Sequence, residues 1–86
     1  MKTLFMLMAK HEGAAMIPAE TCCKEYFGGM TMTKFMQKVR AGEINLPVAK
    51  MEASQKGARM VHLQDLADYI DRQREAAAKE LKAMRA

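Results

Sequence analysis

"MTMTKFMQKVRAGEINLP", residues 30–47, decides how the rest of the chain is read. Thr31 is the kind of residue that caps a helix N-terminus, and Gly42 is a natural C-terminal stop, so the spacing predicts a helix through "MTKFMQKVRA". Phe35, Val39 and either Met32 or Met36 fall on one stripe of that helix, which is the face to bury. Thr33, Lys34, Gln37 and Lys38 lie away from the stripe, with Arg40 nearer its edge. A face of hydroxyl, amide and cationic groups with no carboxylate is suited to a polyanion.

Upstream, "MIPAETCCKEYFGG" begins with a short extended lead-in at Met16 and Ile17. Pro18 suits the start of a compact helix from about Ala19 to Phe27, which Gly28 and Gly29 stop. Cys22, Cys23, Tyr26 and Phe27 recur at separations of three and four, so one face of this helix is apolar. Two short helices joined through a Gly-containing turn form the helix-turn-helix pattern, whose second helix enters the DNA major groove.

Downstream of "GEINLP" the period changes from helical to extended. "VAKMEA" alternates, with Ala49, Met51 and Ala53 on one face and Val48, Lys50 and Glu52 on the other. "SQKG" is a polar tip, and "ARMVHL" returns as a second strand, giving a β-hairpin over residues 48–62. Ser54, Gln55, Lys56 and Arg59 sit on its tip and flank. A hairpin directly after a helix-turn-helix reads as a wing.

The chain's clearest helical segment is 63–84. His62 stands at its cap and Asp65 favours the positive end of the helix dipole. Leu66, Tyr69 and Ile70 dock its first half, and Asp68 with Arg72 and Glu75 with Lys79 are spaced as i,i+4 pairs. Beyond Asp71 the pattern thins to "REAAAKELKAM", so the end is expected to project, with Ala77, Leu81 and Met84 open to another copy or frayed into solvent. At the other end, residues 1–12 read as a first helix, closed by Gly13. Its apolar run Leu4–Met8 is broken by Lys10, His11 and Glu12, short of the ~18 residues of a membrane span. A cytoplasmic protein is the expectation.

The net charge of +4 over 86 residues is concentrated. In residues 1–33 Lys2, Lys10 and Lys24 balance Glu12, Glu20 and Glu25, and residues 60–86 are also neutral. Between them Lys34, Lys38, Arg40, Lys50, Lys56 and Arg59 face only Glu43 and Glu52, so the whole excess falls on the second helix and the hairpin. A basic patch so placed is the electrostatic footprint of a nucleic-acid-binding surface.

With 50% apolar residues the chain is globular, and its size predicts a single, marginally stable domain. Ten Met and no Trp predict a core filled by flexible thioether side chains, with a Met-rich partner groove as the sharper alternative. Cys22 and Cys23 are neighbours whose side chains diverge on a helix, which suits reduced thiols better than a zinc site. Neither His11 nor His62 stands in a ligand or nucleophile motif, and no Gly-rich phosphate loop is present. No catalytic residue, metal or cofactor is expected.

Residue by residue, "IPAETCCKEYFG", a basic helix ending in "AGEINLP", a hairpin, and "HLQDLADYIDRQR" resemble the small winged helix-turn-helix proteins of the excisionase and MerR-like group. In those, a "GE(I/L)xxP" turn and a final "DLxxYI" helix recur. More narrowly, "LFMLMA", "INLPV", "SQK" and "VHLQDLADYIDRQR" together look like the pyocin activator protein family, over nearly the whole chain. The resemblance implies a mainly α fold with a small hairpin wing and a long C-terminal helix, in a transcriptional activator of bacteriocin or prophage genes. Its partner would be promoter or operator double-stranded DNA, with RNA polymerase a further candidate. Separately, one small domain contacts few base pairs, so specificity calls for paired half-sites, and a homodimer or cooperative oligomer on DNA is expected. The expected DNA-binding set is Thr33, Lys34, Gln37, Lys38, Arg40, Lys50, Ser54, Gln55, Lys56 and Arg59. Two other readings stay open: an excisionase-like factor that bends DNA, and a protein-interaction module acting as adaptor or inhibitor.

Overall fold

A computed structural model describes residues 2–53 and 57–85. It contains α1 (Lys2–Lys10), β1 (Met16–Pro18), α2 (Ala19–Tyr26), α3 (Met32–Arg40), β2 (Ala49–Lys50), β3 (Arg59–His62) and α4 (Leu63–Arg85). The fold is mainly helical with a small three-stranded antiparallel sheet, the winged arrangement expected from the order of elements. The tip residues Ser54, Gln55 and Lys56 lie outside the described residues.

The lead-in at Met16 and Ile17 has a larger role than its length suggests. β1 pairs with β3, Ile17 opposite Val61, and β3 also pairs with β2, so the strand order is β1-β3-β2 and β3 is central. Leu63 N–H then donates to the Ala15 carbonyl at 2.9 Å, extending the ladder into the start of α4. The His62 side chain caps that start, its Nδ1 accepting from Gln64 N–H at 3.0 Å. β2 is shorter than the alternation of "VAKMEA" predicts: it is an edge strand of two residues, and Met51 is 57% exposed. Among the described residues no layer covers that face, so alternation there brings no burial.

The core gathers Leu7 of α1, Ile17 of β1, Cys22 and Cys23 of α2, Phe35 of α3, Val61 of β3, and Leu63, Leu66 and Ala67 of α4, with Ile44 and Leu46 from the loop after α3. Among the described residues no methionine belongs to this buried set, contrary to the expectation of a thioether core. Met30, Met32 and Met36 pack along its margin, while Met6, Met8, Met51 and Met84 are exposed. Branched and aromatic side chains lose less rotamer freedom on burial than Met, and in a core this small they occupy the central positions. The exposed methionines on α1 and α4 lie on separate helices.

Local ties hold the elements. Lys10 pairs with Glu25 at 2.7 Å, joining α1 to α2, and Thr3 Oγ1 donates to Asp71 Oδ1 at 2.6 Å, joining α1 to α4. His11 Nε2 and the Tyr26 hydroxyl are hydrogen-bonded at 2.9 Å. Glu75 and Lys79 approach at 4.0 Å as their spacing suggests. The expected Asp68–Arg72 pair does not form. Arg72 Nη2 donates to the Asn45 carbonyl at 2.7 Å, and Asp68 accepts from Gln64 Nε2 at 3.0 Å. The bond to the Asn45 carbonyl anchors the loop after α3 to α4.

Both cysteines are free and buried, and burial, helped by the neighbouring Cys23 and by Glu25, pushes the Cys22 thiol up to about 12. A thiol that stays protonated is a poor nucleophile. Neither cysteine should therefore react with a thiol reagent at pH 8 in the folded protein, and both should react once urea unfolds it. Phe35→Ala should cost about 3–5 kcal/mol in a urea titration, because it removes a wholly buried ring from the centre of a small core.

Candidate nucleic-acid interface

The surface starts from the turn between α2 and α3. Gly28 and Gly29 both take positive φ (66° and 82°), a conformation that side chains with a Cβ rarely adopt, and the chain reverses within five residues. Thr31 then caps α3 as expected, its Oγ1 accepting from Lys34 N–H at 3.2 Å. At the other end Gly42 (φ 79°) closes the helix: Glu43 N–H reaches the Lys38 carbonyl at 2.9 Å and Gly42 N–H the Val39 carbonyl at 3.2 Å. These two bonds are the Schellman pattern, which satisfies carbonyls the helix leaves open.

Phe35 sets the rotation of α3. It is fully buried, with the Phe27 ring edge-on at 5.2 Å, and Met32, Met36 and Val39 pack beside it. Opposite this stripe Thr33, Lys34, Gln37 and Arg40 are exposed. Lys38, expected on the outward face, is instead half-buried, with its Nζ 3.7 Å from Glu43. Arg40, expected at the edge of the apolar stripe, points outward. The two exchange roles because position 38 lies within about 60° of Phe35 at 100° per residue, while position 40 lies about 140° away.

On the wing, Lys50 of β2 is directly opposite Arg59 of β3. Two cations on opposing residues of an antiparallel pair repel, so this placement weakens the hairpin unless an anion lies between them. Neither forms an ion pair among the described residues. Arg59 also borders a cleft of about 410 Å³ whose other walls include Pro18 and Glu20 at the start of α2 and Met32 at the start of α3. The start of α3 and the wing are thus two sides of one depression. Among the described residues Glu20 is the one carboxylate lining it, and it falls in a segment that is neutral by sequence, so the charge distribution along the chain gives no sign of it.

Of the ten residues expected to meet a nucleic acid, Thr33, Lys34, Gln37 and Arg40 share one exposed helix face and Lys50 and Arg59 form a cross-strand pair. Lys38 is drawn aside by Glu43, and Ser54, Gln55 and Lys56 are outside the described residues. Among the described residues no cluster of three or more His, Cys, Asp or Glu side chains could hold a metal, and no helix is long and apolar enough to cross a membrane.

If Lys50 is placed for binding and not for folding, Lys50→Ala should leave the unfolding free energy unchanged or raise it by about 0.2–1 kcal/mol, relieving the repulsion across the strand pair. Urea denaturation decides, and a loss above about 1 kcal/mol would make Lys50 a structural residue.

Comparison with known proteins gives one family: a family model described as pyocin activator protein PrtN matches residues 3–77. No curated protein and no solved structure matches the chain.

Proposed function

The chain belongs to the pyocin activator protein PrtN family, and from that premise we propose that it regulates pyocin-type genes by binding operator DNA and activating transcription. In this reading α3 lies in the major groove and the wing rests on the sugar-phosphate backbone. The observation that carries it is the Lys50–Arg59 pair: like charges set opposite one another on a wing, beside the start of a helix whose outer face has cations and no carboxylate. A phosphate between them turns the repulsion into two charge-assisted contacts.

The roles follow from side-chain chemistry. Gln37, central on the exposed face, can pair bidentately with adenine, and Lys34 and Arg40 on either side can reach guanine. Thr33, near the capped end of α3, suits a phosphate or a base edge. Lys50 and Arg59 hold phosphates, which fixes register without reading sequence. Lys38 is available to DNA only by leaving Glu43 and so contributes less than its charge suggests. The protein acts without catalysis or cofactor, in the cytoplasm with its DNA, and activation requires a contact with RNA polymerase.

The experiment is fluorescence anisotropy on a random-sequence DNA pool at two salt concentrations, then selection and sequencing of the bound fraction. Salt-sensitive binding with an enriched motif is expected. No binding at low salt overturns the reading in favour of a protein-interaction module. Binding with bending, but no stimulation of a promoter carrying the motif, would make the protein an architectural factor.

Two variants separate the roles. Gln37→Ala should erase the preference at one operator position, a loss of about 1–3 kcal/mol of discrimination. Arg59→Ala should weaken binding to every sequence and flatten the log–log salt dependence by about 0.9 for each phosphate the variant no longer neutralises. Titrations in which both variants lose only uniform affinity would remove Gln37 from base reading.

A further inference from the structure

We propose that the projecting end of α4 is a self-association surface that takes the same segment of a second copy of this chain, antiparallel, about a two-fold axis at Ala77. From Asp71 to Arg85 every residue of α4 is exposed. That is about four turns of helix, tied to the rest of the domain only near its start, by Thr3 on Asp71 and by Arg72 on the Asn45 carbonyl, and an isolated helix of this length is marginal in water. The tail nevertheless carries apolar groups at regular spacing: Leu81 is 49% and Met84 71% exposed.

The spacing is self-complementary. Ile70, Ala77 and Met84 are seven residues apart and therefore on one stripe, about 10.5 Å between neighbours at 1.5 Å per residue. An isologous pair places each surface against itself, so an axis at Ala77 puts Met84 level with the partner's Ile70, and the reverse. The small Ala77 side chains at the axis let the two helices approach closely.

What Met84 meets there is already built. An apolar cleft of about 160 Å³ lies at the base of the tail, lined by Tyr26, Phe27, Leu66, Tyr69, Ile70 and Gln73. Phe27 and Tyr69 stand 5.6 Å apart as its aromatic walls. A thioether on an unbranched chain fits such a space and gains from contact with ring edges. On one side of the same seam Glu80 comes level with the partner's Gln73, an acceptor against an amide donor. On the other, Leu81 comes level with the aliphatic stem of the partner's Arg74, which can cover it while keeping its charge in water. Leu81 and Met84, the large apolar groups the tail exposes, thus each have a counterpart on the second copy.

This inference does not rest on the DNA reading, because the test uses no DNA. Sedimentation equilibrium of the full chain should give a mass of two 9.7 kDa chains, falling to one on dilution. Ala77→Glu sets two carboxylates face to face at the axis and should give a single-chain mass at all concentrations, with its helical circular dichroism retained. Ala77→Cys should cross-link to its own copy under mild oxidation, whereas Met84→Cys should not, since its two copies are about 21 Å apart in this register. The unchanged protein, with both native thiols buried, is the control and should not cross-link. A native chain that stays single up to millimolar concentration, or cross-linking as efficient at 84 as at 77, would overturn the proposal.

Discussion

Burial of Phe35 determines which side of α3 the solvent sees. The ring sits in the core shared by α1, α2, β3 and α4 and is braced edge-on by Phe27, so α3 cannot turn about its axis without taking an aromatic side chain into water. Exposing a side chain of that size costs about 1.5–3 kcal/mol, a large part of what a domain of this length has to spare. With Phe35 inward, Thr33, Lys34, Gln37 and Arg40 can only face outward. The exposed polar face is thus a consequence of a packing interaction on the opposite side of a nine-residue helix.

The second constraint is the central position of β3. By pairing with β1 on one edge and β2 on the other, it ties the segment that leads into the helix-turn-helix to the segment that forms the wing. His62 at its end caps α4 directly, and Arg72 of α4 reaches back to the Asn45 carbonyl in the loop after α3. α3 and the wing are therefore held relative to each other through backbone pairing and one charged hydrogen bond, not by a large interface. A small domain with limited burial gains most from such ties.

Electrostatics oppose stability on the surface that packing leaves open. Lys50 opposite Arg59 costs the hairpin stability, and the exposed Lys34 and Arg40 of α3 add repulsion. Elsewhere two pairs of opposite charges form: Lys10 with Glu25, where the ion pair raises the lysine and lowers the carboxylate, and Glu75 with Lys79.

Much of this was legible in the residues because it is local. Thr31, Gly42 and His62 act on backbone groups within a few positions of themselves, so caps and stops can be read from neighbours, as can the segment that carries the whole charge excess. The family was legible for a similar reason, since motifs spaced in order along the chain need no contacts to be seen. Tertiary structure decided what depends on distant partners: that Met16–Pro18 becomes an edge strand because β3 returns beside it, that Arg72 prefers the Asn45 carbonyl to Asp68, and that branched side chains displace methionine to the margin of the core. It also decided that Lys38 turns toward Glu43 while Arg40 faces out. Periodicity marks an apolar stripe to within a residue or so, but only the packing of Phe35 against a particular core sets the angle, and at 100° per residue that small difference changes which cation meets solvent.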